Sequence, residues 1–303
     1  MERFAQYDHC MLCPRACGAD RNAGQLGRCH APAALMVARA ALHMWEEPCI
    51  SGEEGSGAVF FSGCSLGCIY CQNRTISGAQ SGKVISVERL KEISLELQAK
   101  GANNINLVTP DHYAPSIAEA LRLAAAAGLK IPVICNCSGY MTPETIAILA
   151  PYVDVWLPDF KYASREMAAA YSAAGDYFEI ASEALREMVR LAGPAEFDDR
   201  GMIRRGVIVR HLLLPGGEQD SARVLAYLHE TYGDQIYISI MSQYTPPEPP
   251  PPDFPEILKR KVDYDTYEAL VDLAIDLGVE NGFIQEEGTA DESFIPAFDN
   301  EGV

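Results

Sequence analysis

Six short apolar runs alternate with helical segments between residues 58 and 241, and this alternation constrains the fold more than any other feature of the sequence. Each run is almost continuously apolar, as expected for strands that are covered on both faces. Strands that alternate with helices form a parallel sheet with right-handed crossovers. Six β/α units are too few for the eight-stranded closed barrel, so the pattern predicts an α/β protein with an open, partial (β/α)6 barrel. The predicted strands are 58–61, 104–108, 132–137, 153–157, 206–214 and 236–241.

The segments between these strands have the spacing of helices. Apolar residues recur every three or four positions from Val87 to Leu97, and Thr142 has the side chain of a helix N-cap. Gly175 interrupts the longest helical segment and predicts two helices there. The predicted helices are 87–99, 116–129, 142–149, 165–191 with its interruption, 221–231 and 264–277.

Composition and charge narrow the possible partners. Hydrophobic residues make up 48% of the 303 residues, which excludes disorder for most of the chain. The formal net charge of −18 argues against nucleic acid and against an anionic membrane surface as partners. The sequence contains neither a run of 18 apolar residues nor the apolar segment of a signal peptide at its start. We therefore expect a cytoplasmic protein with no membrane partner.

The pattern predicts three parts. Residues 1–57 lack a strong period and form a cysteine-rich, metal-binding N-terminal segment, which ends in a loop rich in Gly, Ser and Glu. Residues 58–288 form the partial barrel, and residues 289–303 form a C-terminal tail.

A loop after the first predicted strand has the spacing Cys64-x3-Cys68-x2-Cys71. Cytoplasmic cysteines stay reduced, so metal or cluster ligation explains them better than disulfides do. Three thiolates on one short loop can bind three corners of a [4Fe–4S] cluster and leave the fourth iron open. The alternative is a zinc knuckle that takes a fourth ligand from elsewhere in the chain.

With Tyr70 before its third cysteine, this loop resembles the signature of radical S-adenosylmethionine (SAM) enzymes. The segment Cys71-Gln72-Asn73 is similar to the pyruvate formate-lyase activating enzyme branch. A group of uncharacterised iron–sulfur proteins related to that enzyme is more similar still. The resemblance runs from Cys10 to about Gly288, and it includes residues 12–18, 46–52 and 106–113.

The resemblance implies a radical SAM barrel, one site-differentiated [4Fe–4S] cluster and SAM as cosubstrate. In such enzymes the open iron chelates the amine and carboxylate of SAM. An electron delivered by a reductant such as flavodoxin or ferredoxin cleaves SAM to methionine and a 5′-deoxyadenosyl radical. The radical then abstracts a hydrogen atom from a substrate, so the implied activity is that of an activating-enzyme-like oxidoreductase.

Polar residues at the strand ends are the candidate SAM ligands, because functional residues of parallel α/β folds lie at the carboxyl ends of strands. The resemblance implies that Lys161, in an Asp-x-Lys segment, pairs with the SAM carboxylate. Thr109 lies where the family usually has Gly-Gly-Glu for the SAM amine. The residues expected to bind the cofactor are Tyr70, Thr109, Asn136, Ser138, Asp159, Lys161 and Gln243.

Three further residues are expected to act on the substrate: His112, Arg210 and His211. His112 follows the second strand, either as an acid–base group or simply as a residue that begins a helix. A strand that carries both Arg210 and His211 is unusual, because burial of charge without a partner is costly. Arg210 would suit a carboxylate or another anion through a bidentate contact. We therefore expect the substrate to be a peptide, a protein or an anionic small molecule, and the sequence does not identify it.

The N-terminal segment has a second group of four cysteines, Cys10-x2-Cys13-x3-Cys17-x11-Cys29. Four thiolates complete either a structural zinc site or an auxiliary [4Fe–4S] cluster. Two other functions remain open beside that of a radical SAM enzyme with an unknown substrate. One is activation of a glycyl radical enzyme, and the other is non-catalytic iron–sulfur electron transfer.

Overall fold

The computed structural model describes residues 3–285 and 296–303. Position 288, the predicted end of the barrel, and residues 289–295 of the predicted tail lie outside the described residues. The described part of the chain forms a ten-stranded sheet with α-helices packed against it.

The strands and helices are numbered in chain order. The strands are β1 (Leu35–His43), β2 (Ser56–Phe61), β3 (Lys83–Ile85), β4 (Ile105–Val108), β5 (Val133–Cys137), β6 (Val155–Pro158), β7 (Glu196–Phe197), β8 (Ile203–Leu212), β9 (Tyr237–Met241) and β10 (Gly282–Ile284). The helices are α1 (Pro48–Ser51), α2 (Arg74–Ser77), α3 (Val87–Ala99), α4 (Ala114–Ala126), α5 (Pro143–Leu149), α6 (Arg165–Ser172), α7 (Tyr177–Ala192), α8 (Glu218–Tyr232) and α9 (Tyr264–Leu277).

The predicted open, parallel α/β fold is confirmed. Nine of the ten strands follow the order β10-β9-β8-β6-β5-β4-β2-β1-β3, and the tenth, β7, pairs antiparallel with β8. All pairings from β10 to β2 along this order are parallel. The six predicted strands are present, and the long helical segment divides into α6 and α7 on either side of Gly175, as expected. The helices cover the outer face of the curved sheet, and the inner face surrounds a lumen.

The sequence patterns did not reveal the strands at the edges of the sheet. Strand β1, from the predicted N-terminal segment, pairs antiparallel with β2, so that His43 lies opposite Ser56. Near the C-terminus, the Glu301 carbonyl accepts a hydrogen bond of 2.8 Å from Ala40 N–H, and Asn300 N–H donates to Ala38 O at 3.0 Å. Strand β1 therefore belongs to the sheet of the barrel, and the backbone near position 300 hydrogen-bonds to β1.

Helix α1 closes the lumen at the amino ends of the parallel strands. Because β1 is antiparallel to β2, the chain that leaves β1 emerges at this end and turns into α1. Cys49 and Ile50 of α1 form a buried cluster with Ile134, Leu157 and Ile208, which point inward from the sheet. The connection from β1 to α1 thereby brings Glu46 and Glu47 into the lumen, although the sequence assigned them to an N-terminal appendage.

Among residues 3–285 and 296–303, none of the helices has the combined length and apolarity that a bilayer span requires.

Candidate active site

The three cysteines of the loop after β2 line one cavity of about 320 Å³ at the carboxyl ends of the parallel strands. Their side chains are partly exposed to it. Burial raises the pKa of the Cys71 thiol, and the nearby Cys68 thiol raises it further. Burial likewise raises the pKa of Cys64, and Asp111 and the other two thiols raise it further. The three sulfur atoms are thus close enough to one another to interact electrostatically.

The cysteine loop is fixed by contacts along its length. Ile69 N–H donates to Tyr171 O at 2.9 Å, and Ser172 Oγ donates to Cys68 Sγ at 3.1 Å. Gly63 has a φ of +94°, and a Cβ there would lie 2.7 Å from the Cys29 carbonyl oxygen, so only glycine fits this turn.

The loop suits an iron–sulfur cluster better than a single metal ion. Within the described residues, no group of three or more His, Cys, Asp or Glu side chains converges closely enough to hold one ion. A cubane spaces its cysteine ligands more widely, because each thiolate binds a different iron. The donor set of three thiols around one cavity therefore fits the [4Fe–4S] cluster and does not support the zinc-knuckle alternative.

The seven residues expected to bind SAM all line the same cavity as the cysteines. They come from the cysteine loop and from the ends of four parallel strands, so the curvature of the sheet brings them together. These residues are Tyr70, Thr109, Asn136, Ser138, Asp159, Lys161 and Gln243.

Asp159 and Lys161 form an ion pair inside the cavity. Lys161 Nζ lies 2.6 Å from Asp159 Oδ2, and the two side chains are 16% and 22% exposed. Burial alone would lower the pKa of Lys161, but the Asp159 carboxylate holds it well above its usual value. The Tyr177 hydroxyl accepts a 2.9 Å hydrogen bond from Lys161 N–H and donates one of 2.8 Å to Ser138 O. These contacts fix an ammonium group at the mouth of the lumen.

Thr109 adopts a left-handed conformation at the end of β4, with a φ of +58°. For a β-branched residue this conformation is an outlier that costs about 1–3 kcal/mol and persists only where the surroundings impose it. Its N–H donates to Asn136 O at 2.8 Å, which ties it to the neighbouring strand end. Strain of this kind is concentrated at functional sites, and here it lies in the cavity wall.

Arg210 lines the cavity, but it is paired with two carboxylates. Its Nε donates to Glu47 Oε1 at 2.8 Å, its Nη2 donates to Glu47 Oε2 at 2.6 Å, and Nη2 also donates to Glu46 Oε2. Burial alone would raise the pKa of Glu47, but Arg210 holds it below its usual value. Two carboxylates outnumber one guanidinium here, so the expectation that Arg210 attracts an anionic substrate is not supported.

His211 does not face the cavity, and the expectation that it acts on the substrate is wrong. Neighbouring residues of a strand point to opposite faces, so His211 faces the helices when Arg210 faces the lumen. Its ring nitrogens contact Phe160 O at 2.7 Å and Ser221 Oγ at 2.8 Å. Burial lowers the pKa of His211 to about 4, so the ring is a neutral structural group at physiological pH.

His112 is also buried away from the cavity, with 1% of its surface exposed. Its Nε2 lies 2.9 Å from Ser62 O, just before the cysteine loop. Beside it, the buried Asp111 carboxylate accepts a 2.7 Å hydrogen bond from Ser65 Oγ within that loop. His112 and Asp111 therefore support the loop from behind, which corrects the prediction of a substrate acid or base.

Sequence reasoning missed several residues that line the cavity. Glu46 and Glu47 were noted only as part of a resemblance, although two adjacent glutamates in an otherwise apolar stretch signal a buried charge cluster. Other missed residues include His43, Trp45, Phe60, Leu212, Ser239, Met241, Phe283 and Gln285.

The N-terminal cysteines lie directly behind the cysteine loop. Cys10, Cys13 and Cys29 are buried, whereas Cys17 is exposed. Arg21 is only 2% exposed and lies over the Tyr7 ring at 4.2 Å. It donates to two carbonyl oxygens and to Cys10 Sγ at 3.8 Å, and its Nε has no partner among the described residues. None of these partners is a carboxylate. Arg21 is therefore a buried cation whose neighbours include the Cys10 thiol.

Arg15 joins this N-terminal segment to the cysteine loop. Its guanidinium donates to the carbonyl oxygens of Ser65 at 3.0 Å and Leu66 at 3.1 Å, both within the loop. It also donates to Ser172 O at 2.8 Å and to Ala173 O at 2.5 Å, at the end of α6. One side chain between Cys13 and Cys17 of the N-terminal group thus holds the loop against the barrel.

The sequence profile of the Radical SAM superfamily matches residues 58–221, more than half of the chain, and the chain therefore belongs to this superfamily. The family implies a [4Fe–4S] cluster and SAM binding. The chain is similar to the uncharacterized protein MJ0674 of Methanocaldococcus jannaschii, with 26% identity over 275 residues that cover 88% of this chain and 75% of that protein.

Solved structures support the fold. HydG, a maturase of the [FeFe]-hydrogenase, is similar with a TM-score of 0.51 and 15% identity, over 76% of this chain and 52% of that one. The HydG of Carboxydothermus hydrogenoformans gives a TM-score of 0.50 and 13% identity, over 78% and 56%. This chain thus spans about half the length of both proteins, and at these identities the likeness concerns the fold.

Proposed function

We propose that this protein is a radical SAM enzyme whose cluster is held by Cys64, Cys68 and Cys71. The observation that carries the proposal is the shared cavity, in which these three thiols meet the polar ends of four parallel strands. When bound, the cluster supplies the electron that cleaves SAM into methionine and a radical able to take hydrogen from a substrate. A non-catalytic electron carrier would need neither the polar strand ends nor a cavity beside its cluster.

The residues of this chain have separate tasks in the proposal. Lys161 uses one N–H for Asp159, and the other donors of its ammonium group are available for the SAM carboxylate. Thr109, Asn136 and Ser138 supply polar groups from the ends of the neighbouring strands β4 and β5. The similarity of Cys71-Gln72-Asn73 and of the Asp-x-Lys segment favours an activating-enzyme-like member, reduced by a protein such as flavodoxin or ferredoxin.

The proposal is tested by anaerobic incubation of the reconstituted protein with SAM and dithionite. We expect absorption near 400 nm from the cluster and the formation of 5′-deoxyadenosine. Candidate substrates are then screened by transfer of deuterium into that product. If the reconstituted cluster does not cleave SAM, the proposal is wrong and non-catalytic electron transfer becomes the favoured function.

We predict that Lys161→Ala weakens SAM binding by roughly 5- to 150-fold, because loss of one carboxylate ion pair in a partly buried site costs about 1–3 kcal/mol. Iron content should stay unchanged, since Lys161 is not a ligand. The measurement is the SAM dissociation constant by anaerobic calorimetry. Lys100→Ala, which removes an exposed lysine outside the cavity, is the control. Equal SAM affinity in the two variants would remove Lys161 from the site.

We predict a second metal centre on Cys10, Cys13, Cys17 and Cys29, for which the buried Arg21 beside Cys10 would provide a counter-charge. As in the cysteine loop, these thiols do not converge closely enough within the described residues to hold one ion, so a zinc site requires them to move together when the metal binds. Metal analysis should give about four irons and one zinc per chain for a structural zinc site, or about eight irons for an auxiliary cluster. Cys13→Ala should lose only this second metal and retain the iron on Cys64, Cys68 and Cys71. Four irons and no zinc in the wild-type protein would contradict both versions.

A further inference from the structure

The floor of the cavity, which consists of Glu46, Glu47 and Arg210, carries an excess of negative charge. These side chains are 6%, 5% and 12% exposed, so the two carboxylates and the one guanidinium are largely removed from water. A buried net charge is costly unless a further group compensates it.

The ionisable groups around the floor do not supply the missing positive charge. Lys161 is paired with Asp159 at 2.6 Å. His43 also lines the cavity, but burial lowers its pKa more than the nearby Glu46 carboxylate raises it, which disfavours the charged ring. Among the described residues that face the floor, Arg210 is thus the one cation that pairs with Glu46 and Glu47.

A second observation points independently to a missing hydrogen-bond donor. Asn106 is fully buried in β4, two residues before Val108 of the cavity wall, and it lies directly behind Glu46. Its Nδ2 donates to Glu46 Oε1 at 2.8 Å, but its Oδ1 has no partner among the described residues. An unsatisfied buried acceptor is destabilising, so a donor that reaches both Asn106 and Glu46 would bind favourably there.

Apolar side chains also line the cavity. Phe60, Leu212, Met241 and Phe283 come from four different strands. Such residues accept an alkyl or aryl chain, and the floor offers the Glu46 carboxylate, with the Asn106 amide directly behind it.

We propose that the substrate presents a primary ammonium group on an apolar stem, with the ammonium bound at Glu46 and Asn106 Oδ1. This inference rests on the proposed function, since it concerns the substrate of the same cavity. It replaces the anionic substrate that the sequence suggested. A cation neutralises the floor and satisfies the amide oxygen at once, whereas an anion would add a second excess charge.

The test compares three probes of one shape, 4-phenylbutylamine, 4-phenylbutanol and 4-phenylbutyrate, which are cationic, neutral and anionic. Each is titrated anaerobically into the reconstituted, SAM-saturated protein in a calorimeter. We expect the amine to bind about 10-fold more tightly than the alcohol, because its hydrogen bonds to the carboxylate are charge-assisted and those of the neutral hydroxyl are weaker. The carboxylate should bind most weakly.

Glu46→Gln removes the excess charge while keeping the shape of the side chain, and it should abolish the preference for the amine. Glu53→Gln removes an equal charge from an exposed position in the same part of the chain and should retain the preference. The inference is overturned if the wild-type protein binds the amine no more tightly than the other probes, or if Glu46→Gln keeps the preference.

SAM affinity and reductive SAM cleavage without substrate, measured on the same samples, separate the two levels of the proposal. The control Glu53→Gln should leave both unchanged. Absence of SAM cleavage in the wild-type protein would contradict the proposed function, whichever probe binds best. Loss of SAM affinity in Glu46→Gln, without any amine preference in the wild-type protein, would assign this carboxylate to SAM and overturn the inference.

Discussion

Cys68→Ala should abolish the formation of 5′-deoxyadenosine from SAM and remove the iron of one cluster. Its thiol lies between those of Cys64 and Cys71 along the loop, and all three line the cavity. Two remaining thiolates cannot hold three corners of the cubane, so both the electron source and the open iron are lost together. The measurement is chromatographic detection of 5′-deoxyadenosine after anaerobic reduction, together with iron analysis of each variant.

Cys49→Ala is the matched control for this experiment. Cys49 is buried in α1 below the cavity and belongs to neither predicted group of ligands. This variant should retain its iron and its SAM cleavage. Normal SAM cleavage by Cys68→Ala would show that the cluster is bound elsewhere and would remove the basis of the proposed function.

Arg210→Met should destabilise the folded protein by about 3–5 kcal/mol, because removal of one partner of a buried ion pair leaves uncompensated charge behind. Here the loss is aggravated, since both Glu46 and Glu47 depend on this one guanidinium. The free energy of unfolding is measured by urea denaturation followed by circular dichroism. Arg190→Met removes an exposed guanidinium paired with Glu187 and should leave the free energy of unfolding nearly unchanged, because solvent screens a surface ion pair.

The effect of Arg210→Met should depend on pH. In the wild-type protein the folded pKa of Glu47 is depressed, so its contribution to stability is present above the unfolded pKa of about 4.3 and is lost as the pH falls through the folded pKa. In the variant, burial without a cation should raise the folded pKa of Glu47. The destabilisation should therefore shrink as the pH falls from 7 towards 5, and an equal deficit at both values would contradict the electrostatic explanation.

Local patterns were sufficient for the order of the strands and for the cluster loop. Apolar runs and helical spacing are properties of neighbouring residues, so the six inner strands and the break between α6 and α7 could be predicted from them. The spacing Cys64-x3-Cys68-x2-Cys71 likewise puts three thiols within reach of one cluster, whatever surrounds the loop. Functional residues of parallel α/β folds lie at the carboxyl ends of the strands, and this rule predicted the cavity residues that follow β4, β5, β6 and β9.

The edges of the sheet needed the tertiary structure. The pairing of β1 with β2, and of residues near position 300 with β1, joins segments whose own sequences show no clear period. The free energy of such pairing comes from distant partners and not from local propensity. For this reason the N-terminal segment was predicted as an appendage, whereas its strand and α1 belong to the barrel.

The direction of individual side chains was the other feature that only the fold decided. His112 and His211 were expected in the cavity because they lie near strand ends, but burial turned both away from it. Glu46 and Glu47 are separated from Arg210 by more than 160 positions, and their contact depends on the antiparallel course of β1. The sequence thus determined which chemistry the chain carries at its cysteine loop. The charge of the cavity floor depended on long-range contacts, because a strand shows alternate residues to opposite faces and its register is set by its neighbours.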